Sequence, residues 1–256
     1  MKTAKNSGWQ GIDYRIYELS KVEWLIYGCQ GLALDAVFSF VFYRSFMIFL
    51  LLVPAAVCYP LYKKKELLEK RTELLRMQFK DAIQALSGCL NAGYSVENAF
   101  SEALRETDRV YGQSSMISVE IRLLLHKIRL NRTVEEALKD FAERSGIDDV
   151  KSFADVFLAA RESGGELMKI IARTTDILGE KTRIRNEILT VTASRRLEQK
   201  VMSAVPIFIV CYMELTSPGF FLVLYTTVVG RIIMTACLVV YLVSLSAAGK
   251  ILEIQV

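Results

Sequence analysis

Apolar residues are concentrated in two blocks, one on each side of a polar middle section of the 256-residue chain. The blocks cover residues 24–62 and 201–248, and each contains only two charged residues. A single helix of either length would extend about 60–70 Å, roughly twice the hydrocarbon thickness of a bilayer. Each block therefore predicts a pair of membrane spans. The four predicted spans are residues 24–43, 46–62, 201–217 and 231–249.

Polar interruptions indicate where the predicted spans turn. Tyr43-Arg44-Ser45 is the natural turn of the first block, and Ser217-Pro218-Gly219 is a turn signal in the second. A turn confined to residues 217–219 would leave Arg231 deep inside a span, where a charge is costly, so the outer loop is predicted over residues 217–230. Asp35 weakens the first span, which could instead lie at the membrane surface as an amphipathic helix.

The middle section, residues 63–200, has helical spacing of its apolar residues. Two stripes recur at steps of three and four, namely Leu75, Phe79, Ile83, Leu86 and Leu90, and then Ile117, Ile121, Leu124, Leu125 and Ile128. This spacing places apolar side chains on one face of each helix. No stretch alternates with a period of two, so the section is predicted to be an all-α bundle with short turns.

Two helix starts in this section resemble each other at an offset of 38 residues. Ser95 and Thr133 can each cap a helix N-terminus, and an acidic residue follows in each first turn. The recurrence suggests two stacked helical hairpins.

A long helix is predicted after the paired glycines Gly164 and Gly165. Its apolar residues predict one continuous apolar face: Leu167, Ile170, Ile171, Ile177, Leu178, Ile184, Ile188 and Leu189. No Gly or Pro other than Gly179 interrupts the pattern before Pro206. The helix is therefore expected to run almost unbroken into the third span.

Charge sets the predicted orientation. Residues 63–200 contain 25 of the 32 Lys and Arg residues and 22 of the 28 Asp and Glu residues, whereas Arg44 and Arg231 are the only basic residues in or next to the two outer turns. Since basic residues favour the cytoplasmic side, the middle section is predicted to be cytoplasmic, together with residues 1–23 and 250–256. The basic residues nearest the membrane are expected to contact anionic lipid or an acidic partner: Lys63, Lys64, Lys65, Arg183, Arg185, Arg195 and Arg196. Elsewhere both signs are interspersed, which does not favour nucleic-acid binding.

The sequence lacks the parts of the usual catalytic sites. His126 is the only histidine, and the five cysteines contain no close pair, so neither Ser-His nor zinc chemistry is favoured. Gly179-Glu180-Lys181-Thr182 resembles the end of a phosphate-binding loop, but Glu180 separates the glycine from the lysine. The chain is therefore predicted to be neither an enzyme nor a cofactor-binding protein, and to take energy from a partner.

Several motifs together resemble the type II secretion F-domain (GspF-like) family. Leu86 to Ser95, which includes Gly93, resembles a helical turn of that family. Glu162-Ser-Gly-Gly-Glu-Leu167, Pro206 at the opening of a span, and Gly230-Arg231 before the last span also match. No single motif is specific, but their order and spacing over residues 75–250 is.

The resemblance implies an inner-membrane platform protein of a type II secretion or type IV pilus machine. One cytoplasmic domain after a pair of N-terminal spans is similar to the Tad (Flp pilus) branch, the TadB/TadC type, and the two types are not separable here. Implied partners are a hexameric ATPase, a sister platform protein and pilin subunits, and the chain is expected to form homo- or hetero-oligomers.

Asp35 and Glu214 are candidate functional carboxylates because charged groups are rare inside spans. One interpretation is that they face a groove that receives the charged end of a pilin helix; the other is that each side chain reaches an interface. The alternative function is an ion or solute transporter, in which the spans form the pathway and the two carboxylates bind ions. Transporters need more polar residues in their spans than this sequence offers.

Overall fold

The computed structural model describes residues 11–42, 46–162, 167–217 and 219–253, and in these ranges every regular element is helical. This confirms the predicted all-α class. The helices are α1 (Lys21–Phe42), α2 (Phe46–Asn91), α3 (Val96–Tyr111), α4 (Met116–Arg129), α5 (Val134–Ser145), α6 (Asp148–Glu162), α7 (Leu167–Thr216), α8 (Leu222–Thr226) and α9 (Val228–Glu253).

The chain forms two compact units. One, here called the helical domain, comprises Met1–Glu18 and Lys64–Arg183; the other, the apolar unit, comprises Leu19–Lys63 and Ile184–Val256. Both α2 and α7 contribute residues to each unit without a break in the helix. The predicted section limits at residues 63 and 200 therefore fall inside continuous helices.

The apolar stripe of α2 forms the centre of the helical domain. All five of its predicted residues are buried, as are the α4 stripe residues from Ile117 to Leu125, with Ile128 partly buried. The Phe79 ring lies 5.7 Å from that of Phe153 on α6 and 6.0 Å from that of Phe141 on α5, both edge to face. The predicted stripes are thus confirmed, and they meet aromatic residues of α5 and α6.

Short helices follow α2, and two of them begin at the caps that the sequence predicts. Asn98 N–H donates to Ser95 Oγ at 3.4 Å, and Glu136 N–H donates to Thr133 Oγ1 at 3.2 Å, so both predicted caps are confirmed. Within the domain α3 packs on α4 and α5 packs on α6, which agrees with two helical hairpins. Ser115 caps α4 in the same way, a start that the sequence analysis did not identify.

The predicted apolar face of α7 is only partly buried. Ile171 and Leu178 are buried, but Ile177 is 58% exposed, and Ile184 and Ile188 are exposed too. The buried face also carries threonines. Each of their hydroxyls donates to the carbonyl one turn earlier; Thr182, for example, donates to Leu178 O at 2.8 Å. A satisfied hydroxyl can be buried at little cost, and counting apolar residues does not detect it.

The helix α7 continues into the predicted third span, as the sequence predicts. It runs unbroken to Thr216, and Pro206, which was expected to open a span, lies inside it. The predicted turn at residues 43–45 and the glycines Gly164 and Gly165 lie outside the described residues.

The apolar unit contains α1, α8 and α9. Among the described residues, Val228–Lys250 is the one helical segment long and apolar enough to cross a membrane, which agrees with the predicted fourth span. The other three spans stay predictions. The short helix α8 lies within the predicted outer loop, and α9 begins three residues before the predicted span start, so that Arg231 falls in its first turn.

Replacing Phe153 by Ala is expected to lower the free energy of unfolding by about 3–5 kcal/mol, because the cavity would open at the contact between α2 and α6. Chemical unfolding of the purified chain in detergent measures this. Val110→Ala is the control, since Val110 is 61% exposed and its truncation should cost less than about 0.5 kcal/mol. Equal effects of the two changes would contradict the assignment of the core.

Candidate functional site

The family-motif positions that the structure describes are mostly turn-forming residues. Gly93 has a φ of 88°, which favours glycine, and its N–H donates to Leu90 O at 3.0 Å where α2 ends. Ser95 then caps α3. Gly230 lies so close to Leu224 that an added Cβ would be 2.5 Å from that residue's backbone. These positions shape the chain and carry no reactive group.

The two candidate carboxylates lie on different helices of the apolar unit. Asp35 is in the middle of α1 and only 8% exposed, and its Oδ2 accepts no hydrogen bond from the residues that the structure describes. Glu214 is half-buried in the last turn of α7. The structure gives no contact between the two side chains, so a shared site remains a prediction.

The predicted basic residues lie on the two long helices. Lys63, Lys64 and Lys65 follow one another in α2, and the other four are in α7. Several of them already have acidic neighbours on the same helix: Arg183 with Glu180 at 2.6 Å, and Arg195 with Glu198 at 3.3 Å. Such exposed pairs contribute little to stability and exchange readily for another anion.

An ionic cluster that the sequence analysis missed joins three helices of the helical domain. Asp149, buried at the start of α6, accepts a hydrogen bond from Lys181 Nζ of α7 at 2.5 Å. Its other oxygen forms an ion pair with Arg76 Nε of α2 at 3.1 Å, without a hydrogen bond. Arg76 also pairs with Glu73 at 2.7 Å. One buried carboxylate therefore holds α2 and α7, the two helices that continue into the apolar unit, to α6.

A second missed cluster, the Glu120 cluster, consists of Tyr14, Glu120 and Arg144. Glu120 on α4 is buried, and its two oxygens accept from Arg144 Nη1 and Nη2 at 2.9 and 2.6 Å. Tyr14 Oη donates to the same carboxylate at 3.0 Å. A bidentate pair with a further hydrogen bond is the arrangement that makes a buried charge tolerable.

Residues 11–18, here called the strap, are non-helical and lie against this cluster. Tyr14 N–H donates to Arg144 O at 2.9 Å, and Arg144 Nη1 donates to Ile12 O at 3.0 Å. The Tyr14 ring is almost fully buried, with the Arg71 guanidinium 5.0 Å from its centre. A Cβ at Gly11 would lie 2.2 Å from the Arg144 guanidinium, so only glycine fits there without movement.

The surroundings shift the pKa of Tyr14, of Arg144 and of the neighbouring Asp140 away from neutral pH. Burial raises the pKa of the Tyr14 phenol above its ordinary value, and Glu120 adds to the rise. Burial opposes the charge of Arg144, but Glu120 and Asp140 outweigh it and raise the pKa of the guanidinium. Burial also opposes ionisation of Asp140, yet Lys127 and Arg144 hold the pKa of that carboxyl below its ordinary value. The cluster is therefore built for binding and support rather than for proton transfer.

Of the buried carboxylates Glu120 and Asp149, only Glu120 could have been recognised in the sequence. Glu120 occupies the position three residues after Ile117, on the apolar stripe of α4, and a carboxylate there predicts a buried cationic partner. Tyr14 has no such signal, because Ile12, Tyr14 and Ile16 alternate with charged residues over only five positions, too few to predict an element or a burial site.

The helical domain also has an open cleft of about 520 Å³ between α5 and α6. Its lining mixes the acidic Glu135 and Asp155 with the basic Lys139 and Arg161, and Arg161 pairs with Glu135. This mixture favours no single class of ligand. In the described ranges, no three His, Cys, Asp or Glu side chains are grouped as a metal site would require.

Arg144→Met is expected to lower the free energy of unfolding by about 3–5 kcal/mol, because it leaves the Glu120 carboxylate buried without its cation. Adding Glu120→Gln to the same chain should recover part of the loss, since no charge then remains buried. Arg109→Met is the control: Arg109 is 78% exposed in its pair with Glu106, and its loss should cost less than about 1 kcal/mol. Chemical unfolding compares the variants, and an Arg144→Met cost no larger than the control's would contradict the buried pair.

Comparison with known families identifies the region that contains most of these features. The family model of type II secretion system protein F matches residues 82–214, more than half of the chain. The match begins in α2, includes α3 to α6 and ends near the end of α7. Neither the curated proteins nor the solved structures give a match. The chain therefore belongs to the type II secretion system protein F family, which its sequence motifs predicted.

Proposed function

We propose that this chain is an inner-membrane platform protein of the Tad (Flp pilus) type, which couples a hexameric cytoplasmic ATPase to the extraction and assembly of pilin subunits. Family membership itself associates the chain with the inner membrane and with secretion machinery. The observation that carries the finer proposal is the single F-type region, residues 82–214, preceded by an apolar block and followed by Val228–Lys250.

In the proposed topology, two N-terminal and two C-terminal spans flank the helical domain, which faces the cytoplasm. The support is the distribution of charge: basic residues directly follow the first apolar block and directly precede the second. Exposed Arg195 and Arg196 of α7 would contact anionic lipid headgroups or an acidic face of the ATPase. The mixed charges elsewhere do not favour nucleic acid as a partner.

Long continuous helices support a mechanical role. Both α2 and α7 contribute turns to the helical domain and turns to the apolar unit. Prolines are the usual cause of helix kinks, and Pro54, Pro60 and Pro206 all lie in the apolar unit. The turns that pass between the two units contain none, so displacement can be transmitted along them. A motor that contacts the helical domain could in this way act on segments that contact pilin.

A transporter is the second candidate, and the burial of Asp35 is the observation that favours it. A carboxylate 8% exposed and without a hydrogen bond to Oδ2 among the described residues could bind a cation. In the platform proposal the same group, with Glu214, would receive the charged end of a pilin helix. Removing the charge would abolish ion transport by a transporter, and pilus assembly by a platform.

Asp35→Asn combined with Glu214→Gln is expected to abolish pilus output at normal protein level, because the groove would lose the charges that attract the pilin end. Output is measured as sheared pilin, and the level of the chain by immunoblot. Asp176→Asn, a change of an exposed carboxylate on α7, is the matched control and should leave output unchanged. Normal assembly by the double variant would refute the groove.

Affinity purification of the full chain from mild detergent is expected to recover a secretion-type ATPase and a sister platform protein. Both are partners of a platform, and neither is required by a transporter. Mass spectrometry of the eluate identifies them, with an unrelated multi-span protein carrying the same tag as control. Recovery of neither protein would favour the transporter.

A further inference from the structure

The strap, residues 11–18, is the feature that the proposed function leaves without a role. It is non-helical, yet its contacts with the helical domain use both side chain and main chain. Tyr14 inserts into the core, while its neighbours Arg15 and Ile16 remain exposed. The strap is thus anchored at one buried side chain and its adjoining peptide groups, in the manner of a bound peptide.

The site that receives Tyr14 is built by the domain itself. Glu120 and Arg144 come from α4 and α5 and hold each other bidentately, so the strap adds a hydrogen bond to a pair that is already neutralised. Gly146, with a φ of 64° at the end of α5, leaves room for the Arg15 side chain, since a Cβ there would lie 2.7 Å from Arg15 Cγ. The domain therefore offers a shaped site for this segment.

The strap continues almost directly into α1 of the apolar unit. Only Leu19 and Ser20 separate Glu18 from Lys21, where α1 begins. Ser20 is itself ordered at the start of that helix: its N–H donates to Glu23 Oε2 at 2.9 Å, and its carbonyl accepts from Trp24 N–H at 2.9 Å. A link of two residues is too short to let the strap and the start of α1 move far apart.

We propose that the strap is a third tether between the helical domain and the apolar unit, with Tyr14, Glu120 and Arg144 as its positioning residues. The other two connections are the continuous helices α2 and α7. Two long helices can still bend together, and a third attachment opposes that movement. The tether would keep a force on the helical domain from being lost as bending, a consequence that rests on the proposed platform function.

Lengthening the link between the strap and α1 distinguishes a tether from a segment that only stabilises the helical domain. Insertion of about ten Gly and Ser residues after Glu18 adds slack of roughly 17–19 Å and leaves the strap's own contacts intact. Hydrogen exchange should show the Tyr14 amide as protected as in the unaltered chain. Spin labels at Arg109→Cys in the helical domain and Leu215→Cys in the apolar unit, on a cysteine-free chain in nanodiscs, should give a broader distance distribution after the insertion.

Two point variants provide the matched comparison. Tyr14→Ala should lose protection of the strap and broaden the distribution, while protection of the α2 and α6 core is retained. Tyr14→Phe keeps the buried ring but loses the hydrogen bond to Glu120, so its strap should be less protected than in the unaltered chain and more protected than in Tyr14→Ala. An unchanged distance distribution after the insertion, with the strap still protected, would overturn the proposal.

Pilus output then tests the mechanical consequence separately. The insertion and Tyr14→Ala should both lose output, and the exposed-site control Val110→Ala should keep it. Full output from an insertion variant with a broadened distribution would overturn the role in force transmission. If the unaltered chain fails to restore pili to a strain that lacks it, the proposed function fails, and the spin-label result still decides whether the strap is a tether.

Discussion

Burial of the α2 stripe against the aromatic residues of α5 and α6 holds the helical domain together. The stripe residues are nearly inaccessible to solvent, and Phe79 contacts the rings of both Phe141 and Phe153. Because α2 is also continuous with the first apolar block, the element that organises this core is the same one that enters the apolar unit. The same helix therefore organises the core and connects the two units. Like α2, α7 has buried residues in the helical domain and continues into the apolar unit.

Buried charge adds specificity to this packing. Asp149 joins α2, α6 and α7, whereas Glu120 joins α4, α5 and the strap. Such pairs gain little net free energy over apolar contacts, but breaking one leaves a charge buried without its partner. The clusters therefore fix which helices lie together and favour one arrangement of a small bundle. One member of each cluster is near a limit of the domain, since Lys181 is two residues from Arg183 and Tyr14 is four residues from Glu18.

Local signals in the sequence predicted a large part of this fold. Caps at Ser95 and Thr133 and the spacing of the α2 stripe have causes within a few residues, and the structure confirms them. Burial along α7 was not predictable from apolar spacing alone, because threonines that satisfy their own hydroxyls are buried beside the apolar residues. The strap and the Asp149 cluster depend on contacts between residues distant in sequence, which periodicity does not encode. Asp35 was identified from its rarity alone, and its buried position in α1 agrees with that reasoning, although its role is still a proposal.

Cysteine accessibility in spheroplasts tests most directly whether the helical domain faces the cytoplasm, the side on which a motor ATPase acts. Arg109→Cys in a cysteine-free chain places the label on an exposed position of α3. A membrane-impermeant maleimide should leave this residue unlabelled until the membrane is permeabilised. Labelling before permeabilisation would place the domain outside, where it could not contact the motor, and would contradict the platform role.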